Sequence, residues 1–478
     1  MTAIDYYHEL LGQAMIDMLP DNVLLGIFDF YREDPAFHIR IGFRTWSWRW
    51  QALIQVCRRW RCVILGSPRR LDLRVVCTHK TPTRTSLDIW PPFPIRITCQ
   101  NRVDEKNVEN VVAAVEHGHD RISHISMYDI NCSALKQLAA AMQQPLPALK
   151  VFRLGSRDRS ILMLLVLPET FLGGSAPLLE MFELYGIPFP TFPEFISFST
   201  QIRYLSIYDI PHSGYISPNA MVACVAALPN LQRLSIGFQS PLSRPSPITP
   251  PPRTRIVFPA LIGLSFCGVS EYFEDLVARI DTPVLNELNV TFFMDLIFEI
   301  PRLRHFIDRA ETLKSLEDQA RMEFHDRAIW ICVGSPFRFK LEVLCERPDW
   351  QLSSIVQVLG QQLPLLSHVE ELEIFQHSQG NIEWTDNPDM DTSLWLETFR
   401  LFIAVQRIFV PAKLVAPVAA ALQELTEGTS MEVLPALNSL FLEGLEPSGP
   451  APEGIQSFVA ARQLSDRHVA VRSWNRSY

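Results

Sequence analysis

The chain has 478 residues, of which 47% are hydrophobic and 20% are charged, a balance that is typical of folded proteins and excludes general disorder. Its formal net charge of −9 gives no basic footprint for nucleic acid at the level of the whole chain. The nine cysteines are scattered without a CxxC motif, which favours free thiols in a reducing compartment over a disulfide framework or a zinc knuckle.

The sequence predicts neither a signal peptide nor a membrane-spanning segment. The N-terminal sequence MTAIDYYHEL has no basic region followed by an apolar core, so it does not resemble a signal peptide. The longest aliphatic run, Ile161–Leu167, is too short to span a bilayer. These patterns predict a soluble, intracellular protein, cytoplasmic, nuclear or both.

Two amphipathic helices are predicted near the N-terminus. Leu19 and Pro20 precede Asp21, a good helix start because proline at the first helical position loses no hydrogen bond. The apolar stripe of this helix is Val23, Leu24, Ile27, Phe28 and Tyr31. A second helix is predicted from about Trp48 to Ile64, with its apolar positions at Trp50, Leu53, Ile54, Cys57, Trp60 and Ile64.

These helices resemble an F-box. That motif starts with Leu-Pro and a helix, here Leu19-Pro20 followed by Val23-Leu24-Leu25 and Ile27-Phe28, and closes with Val-Cys-Arg-x-Trp, here Val56 to Trp60. The runs 66–73 and 87–91, the region after residue 300 and the C-terminus are similar to fungal F-box proteins in particular. One departure is the stretch 32–47, which is longer than the compact pattern, so the middle helix is expected to be displaced or partly lost.

Residues 74–101 are predicted to be an extended connector, because Pro82, Pro91, Pro92 and Pro94 disfavour helix. We therefore divide the chain into an F-box helical region (1–73), the connector (74–101) and a third region (102–478).

The third region repeats a phrase of an apolar residue, two others, an apolar residue, one other and an apolar residue. This is the leucine-rich-repeat phrase, and the first seven copies are 23 to 30 residues apart, which predicts a strand at each phrase with its apolar positions in the core. The copies are Ile122-Ile125-Met127, Leu149-Phe152-Leu154, Leu179-Phe182-Leu184, Ile202-Leu205-Ile207, Leu231-Leu234-Ile236, Leu261-Leu264-Phe266, Leu285-Leu288-Val290, Val369-Leu372-Ile374, Val405-Ile408-Val410 and Leu437-Leu440-Leu442.

Helices are predicted to return the chain between phrases. The predicted returns are 107–116, 132–142, 217–228, 271–280 and 411–426. The usual Asn or Cys three residues after the last leucine is replaced by apolar residues such as Ile130 and Ile187, so an irregular solenoid is expected. The fold class is therefore α/β, a short helical region followed by an irregular leucine-rich-repeat-like solenoid.

The repeat pattern breaks after residue 300. A helical segment is predicted from Leu303 to about Glu317, then two strands over 320–333 with a turn at Arg327, and another strand over 337–346, so that the sheet continues without regular repeats. A final helix over 453–464 and a short strand over 469–471 are predicted to cap the array. Pro241–Pro259, with seven prolines, predicts a surface loop or a polyproline segment.

We find no catalytic constellation in the sequence. The P-loop, dinucleotide-binding, HExxH and GxSxG patterns are all missing, so no enzyme activity and no cofactor are predicted. His117-Gly118-His119-Asp120 is expected to end a helix and not to ligate a metal. Glu370, Glu371 and Glu373 are expected to form a solvated strand edge.

The resemblance implies a substrate receptor of an SCF-type cullin–RING ubiquitin ligase, in which the F-box binds the Skp adaptor and the repeats bind a target protein. The competing hypothesis is a scaffold outside any ligase, whose N-terminal helices only cap the repeats and would bury Leu24, Ile27 and Phe28 against the first one. Some predicted interface residues must instead hold the two helices together. The residues predicted for the Skp interface are Leu19, Pro20, Leu24, Ile27, Phe28, Val56, Cys57 and Trp60.

Overall fold

A computed structural model describes most of the chain. Its described residues are 19–33, 49–67, 73–76, 83–89, 92–99, 102–105, 107–157, 166–245, 254–293, 299–314, 318–334, 338–345, 350–361, 363–377, 392–425, 432–446 and 450–474. Parts of several expected features lie outside them: residues 34–48 between the first two helices, 161–165 of the aliphatic run, 246–253 of the proline-rich stretch and 315–317 of the helix predicted after residue 300. Contacts divide the chain into two compact units, residues 1–158 with 170–179 and residues 159–169 with 180–478.

The N-terminal part of unit 1 is helical. Helix α1 is Asp21–Glu33, and it begins where predicted because the Pro20 carbonyl accepts hydrogen bonds from the backbone nitrogens of Val23 and Leu24, both at 3.0 Å. The predicted second helix is two helices, α2 (Arg49–Val56) and α3 (Arg58–Leu65). The three helices pack against one another, α1 against both of the others.

Regular structure occupies the segment that we expected to be an extended connector. Strand β1 (Leu73–Val76), helix α4 (Thr83–Ile89) and strand β2 (Ile95–Cys99) lie within or across it, and β1 pairs in parallel with β2. The reason is the alternation in β2, where Ile95, Ile97 and Cys99 are buried and the residues between them are not. The prolines lie around these elements and leave the strands free to pair.

The rest of unit 1 alternates strands and helices, as the repeat pattern predicts. A parallel sheet runs β1-β2-β3-β4, and the helices that return the chain stack neighbour on neighbour. The further elements are α5 (Val108–Gly118), β3 (Ile122–Met127), α6 (Cys132–Ala141) and β4 (Val151–Gly155).

Unit 2 contains a longer sheet of the same kind. Its strand order is β5-β6-β7-β9-β11-β14-β13-β12-β15-β16-β17-β18, and every pairing outside the β12–β14 segment is parallel. A separate parallel pair joins β8 to β10. The strands are β5 (Met181–Tyr185), β6 (Tyr204–Ile210), β7 (Arg233–Phe238), β8 (Ile256–Val257), β9 (Gly263–Gly268), β10 (Ile280–Asp281), β11 (Glu287–Phe292), β12 (Gln319–His325), β13 (Ala328–Val333), β14 (Phe339–Leu344), β15 (Glu371–Gln376), β16 (Arg407–Val410), β17 (Ser439–Glu443) and β18 (Ala470–Trp474).

Helices return the chain on the buried side of this sheet. Successive helices pack against each other from α7 to α10 and from α12 to α15, as expected of repeats that contact only their neighbours. They are α7 (Phe192–Ile196), α8 (Pro218–Val225), α9 (Ser270–Arg279), α10 (Pro301–Arg309), α11 (Glu311–Lys314), α12 (Gln351–Leu359), α13 (Thr392–Arg400), α14 (Val415–Gln423) and α15 (Glu453–Leu464).

The repeated phrase predicts the core correctly. Each of the ten copies forms a strand, and all thirty of its apolar side chains are buried, none more than 4% exposed. These strands and their buried side chains establish a mixed α/β architecture with mostly parallel, leucine-rich-repeat-like strands. The five predicted helical returns are confirmed as α5, α6, α8, α9 and α14.

The break after residue 300 is confirmed in kind. Strands β12 and β13 pair antiparallel around a turn at Asp326 and Arg327, and β14 pairs antiparallel with β13. Because β14 pairs with β11 and β12 pairs with β15, both in parallel, this three-stranded insertion keeps the sheet continuous. The final helix has the predicted bounds, and the last strand is β18.

One buried carboxylate connects two successive repeats. Glu274 of α9 is 8% exposed, and its oxygens accept hydrogen bonds from the backbone nitrogens of Arg302 (2.8 Å) and Leu303 (2.7 Å) at the start of α10. It thereby caps that helix, whose own N-cap residue offers no side-chain bond. Burial raises the pKa of Glu274 to about 7, although these bonds and the charge of Arg302 act in the opposite direction.

Within the described residues, no helix combines the length and apolar character needed to cross a membrane. The eight described cysteines are free thiols. Four of them are buried in unit 2, where burial raises the thiol pKa to about 11 or 12, so these four are chemically quiet core residues.

Candidate functional site

The predicted interface residues of the N-terminal helices fall into two groups. Leu24 is 1% exposed and Phe28 is 7% exposed, and the Phe28 ring packs on Trp60 of α3 at 4.8 Å between centroids. Ile27 is 46% exposed and Val56 is 58% exposed. The first group holds the helices together, whereas the second group is open to a partner.

Val23, which the sequence predicts only as part of the apolar stripe, belongs with the exposed residues. It is 41% exposed and lies one helical turn before Ile27, so the two side chains share a face of α1. We call Val23, Ile27 and Val56 the exposed apolar set. Val23 and Ile27, one turn apart on α1, form the kind of apolar face that a partner helix or groove covers, and Val56 is the exposed apolar residue at the end of α2.

Cys57 has a structural role. It adopts an extended backbone (φ −154°, ψ 170°) between α2 and α3, and its Sγ accepts a hydrogen bond from the backbone nitrogen of Trp60 at 3.4 Å. It is therefore the N-cap of α3, and this cap is why the expected single helix is divided.

The start of α1 is tied to α3. The Arg59 guanidinium donates to the Leu19 carbonyl and to Asp21 Oδ1, the latter at 2.9 Å. Pro20 is exposed and Leu19 is half-buried. This arrangement fixes the first turn of α1, so the exposed apolar set is held by a packed scaffold.

A second candidate surface is the outer sheet face of unit 2, formed by the side chains that alternate with the buried positions of its strands. Nearly all of these side chains are partly exposed, and many are aromatic or charged. Its aromatic and charged side chains include Tyr185, Tyr208, Arg321, His325, Trp330, Lys340, Glu371, Glu373, Arg407, Phe409, Phe441, Arg472 and Trp474.

Tyrosines lie at the β5–β7 end of this face. The rings of Tyr185 and Tyr208 stack at 6.2 Å between centroids. Tyr208 also lies over Gly237, where an added Cβ would come within 2.6 Å of the ring, so a larger residue there would displace the ring. Burial raises the pKa of the Tyr208 phenol well above its ordinary value, and the hydroxyl is neutral at physiological pH.

Ion pairs connect neighbouring strands on the same face. Arg321 of β12 pairs with Glu373 at 2.7 Å, and Arg407 of β16 pairs with Glu371 at 2.9 Å. The expected solvated strand edge is therefore wrong, because β15 lies between β12 and β16 in the sheet. Glu371 and Glu373 are cross-strand ion-pair partners at a partly exposed surface, where such pairs contribute about 0–1 kcal/mol each.

The β12–β14 insertion contributes a column of stacked groups. Lys340 Nζ lies 3.4 Å from the centroid of the Trp330 ring, and His325 stacks on Trp330 at 3.9 Å. His377 stacks on His325 at 5.0 Å. Further along, Phe409 and Phe441 stack at 4.4 Å.

The described residues contain no group of three or more side chains arranged to hold a metal ion. His117 and Gly118 end helix α5, with His119 as its C-cap, which is the position that the sequence predicted for them. What the two surfaces offer is recognition through apolar, aromatic and charged contacts.

No protein-family model matches this chain, and no curated protein matches it. Among solved structures, a similar chain is a leucine-rich repeat-containing protein from Legionella pneumophila, at 10% sequence identity. The alignment covers 84% of this chain and 99% of that chain, with a TM-score of 0.29. At that score the likeness carries no conclusion, so the repeat architecture rests on this chain's own strands, helices and buried positions.

Proposed function

We propose that this chain is a substrate-binding adaptor of an SCF-type cullin–RING ubiquitin ligase, acting inside the cell. The N-terminal helices bind the Skp adaptor, and the repeats bind a target protein. The chain contributes position and not chemistry, because tethering a target close to a ubiquitin-loaded enzyme raises its effective concentration there.

The observation that carries the proposal is the division of the apolar stripe of α1. Leu24 and Phe28 are buried in the packing of the helices, whereas Val23 and Ile27 remain about half exposed. In all ten repeat phrases the same residue types are buried. An exposed apolar set on a helix held by its own core supports docking of a second protein.

The alternative is an interaction scaffold outside any ligase, whose helices only cap the repeats. A cap would bury Ile27 together with Leu24 and Phe28, and Ile27 is 46% exposed. This exposure favours the adaptor proposal over the cap. The outer sheet face serves target binding in either case, because aromatic and arginine side chains are the usual anchors of protein interfaces.

A pull-down of the full chain with purified Skp adaptor tests the proposal. Ile27→Asp with Val56→Asp places two charges in a desolvated interface and should weaken binding by roughly a hundredfold or more. The matched control is Ile403→Asp with Leu464→Asp, since these residues are 53% and 73% exposed in unit 2.

Circular dichroism must show the helix variant folded, which is expected because both residues are exposed. Loss of binding in this variant alone supports the adaptor function. A wild-type chain that does not bind the Skp adaptor, or a helix variant that binds as well as the control, contradicts it and favours the scaffold.

A further inference from the structure

A cleft on the helical side of unit 2 is a cationic site that the proposed function does not use. It has a volume of about 340 Å³ and lies between α9, α10 and the residues before β8. Val277 and Ala278, both buried, belong to its apolar part. Its polar lining residues are Arg255, Arg302, His305, Asp308 and Arg309.

Two of these arginines have spare hydrogen-bonding capacity. Among the described residues, no hydrogen bond or ion pair engages the side chain of Arg255, which is exposed. Within the described part of the chain, the Arg302 guanidinium has only a long ion pair, at 3.8 Å from Asp275 Oδ1. Asp275 is already held by Arg279 at 3.0 Å. Arg255 and Arg302 therefore present donors to the cleft.

Arg309 supplies charge instead of donors. Its Nη1 donates to the His305 carbonyl, and its Nη2 donates to the carbonyls of Val277 and Ile280. Its Nε lies 3.4 Å from Asp281, an ion pair. Burial, and after it the nearby charge of Arg255, lowers the pKa of Arg309. The cleft thus brings like charges together at a partly buried position.

The cleft carries a net positive charge. Three arginines and Asp308 line it, and with Asp281, the ion-pair partner of Arg309, the formal charge is +1 with neutral His305. Guanidinium groups from two different elements suit a ligand with several acceptor oxygens, and a phosphate monoester carries about −2 charge with three such oxygens.

We propose that this cleft binds a phosphate monoester, through the guanidinium groups of Arg255 and Arg302 with His305 at its rim. The ligand is either inorganic phosphate or a phosphorylated side chain, since both present the same group. The site belongs to the helical side of unit 2, whereas the proposed docking helices belong to unit 1.

Titration calorimetry of the full chain at constant ionic strength tests the proposal, with inorganic phosphate and N-acetyl-phosphoserine amide as probes. Arg255→Ala with Arg302→Ala should weaken phosphate binding by about tenfold or more, because two charge-assisted partners are lost. The control Arg327→Ala with Arg338→Ala removes the same charge from exposed residues of unit 2 outside the cleft and should change the affinity by less than about twofold.

Each outcome decides the proposal. Binding of either probe that is lost only in the cleft variant supports it, and the tighter probe identifies the source of the phosphate. No binding of either probe by the wild-type chain overturns it. Equal losses in both double variants would also overturn it, because the effect would then come from the net charge of the protein.

Discussion

The N-terminal helices and the repeats use the same apolar residue types in opposite ways. In the repeats, each phrase places its three apolar side chains in the core. In α1, two apolar side chains face the other helices and two face outward. The lesson is that apolar periodicity identifies an amphipathic element, whereas exposure in the folded chain identifies the face that is left for a partner.

The largest effect should come from the repeat core. Phe266 contacts the rings of Phe238, Tyr272, Phe273 and Phe292. Phe266→Ala leaves a cavity among them and should lower the free energy of unfolding by about 3–5 kcal/mol, measured by chemical denaturation. The control Phe198→Ala, at a residue that is 64% exposed, should change it by less than about 0.5 kcal/mol. Equal effects would contradict the assignment of the core.

The buried carboxylate of the repeats makes stability depend on pH. Because the pKa of Glu274 is about 7 in the folded chain and 4.5 ordinarily, the folded state keeps a proton that the unfolded state has lost between these values. The free energy of unfolding should therefore fall as pH rises from 4.5 to 7, by at most about 3 kcal/mol from this group.

Denaturation curves of the wild type and Glu274→Gln across that range isolate this contribution. The difference between the two free energies of unfolding should change with pH, since glutamine does not titrate. Parallel pH profiles would show that Glu274 stays ionised, held by its two backbone hydrogen bonds from α10.

Two single substitutions on α1 compare its buried face with its exposed face. Leu24→Ala should destabilise the helices by about 2 kcal/mol or more, because it removes a buried side chain. Ile27→Ala, one helical turn from Val23 on the exposed face, should cost less than about 0.5 kcal/mol. Native-state hydrogen exchange of α1 measures both, and a large loss from Ile27→Ala would mean that this side chain belongs to the core.

The repeats were predictable because each phrase carries its own signal. Three apolar positions per strand fix which face is buried, and this local pattern needs no knowledge of distant residues. The same argument applies to α15, whose bounds agree with the prediction. The alternation of Ile95, Ile97 and Cys99 also indicates strand β2, but an extended connector was predicted there because the neighbouring prolines disfavour helix.

The division of the N-terminal stripe could not be predicted. Val23 with Ile27 and Leu24 with Phe28 are each four residues apart, so either pair could form the buried face. Which pair is buried depends on the packing of α2 and α3. The break at Cys57 was hidden for a similar reason, because apolar spacing continues across it and only the backbone shows the cap.

Hydrogen exchange of the full chain with and without purified Skp adaptor tests the proposed docking surface directly. We expect added protection in residues 21–28 and 49–56, which contain the exposed apolar set, and unchanged exchange in the repeat strands. Protection confined to the outer sheet face, or no change anywhere in the chain, would contradict the claim that the N-terminal helices are the docking surface for this adaptor.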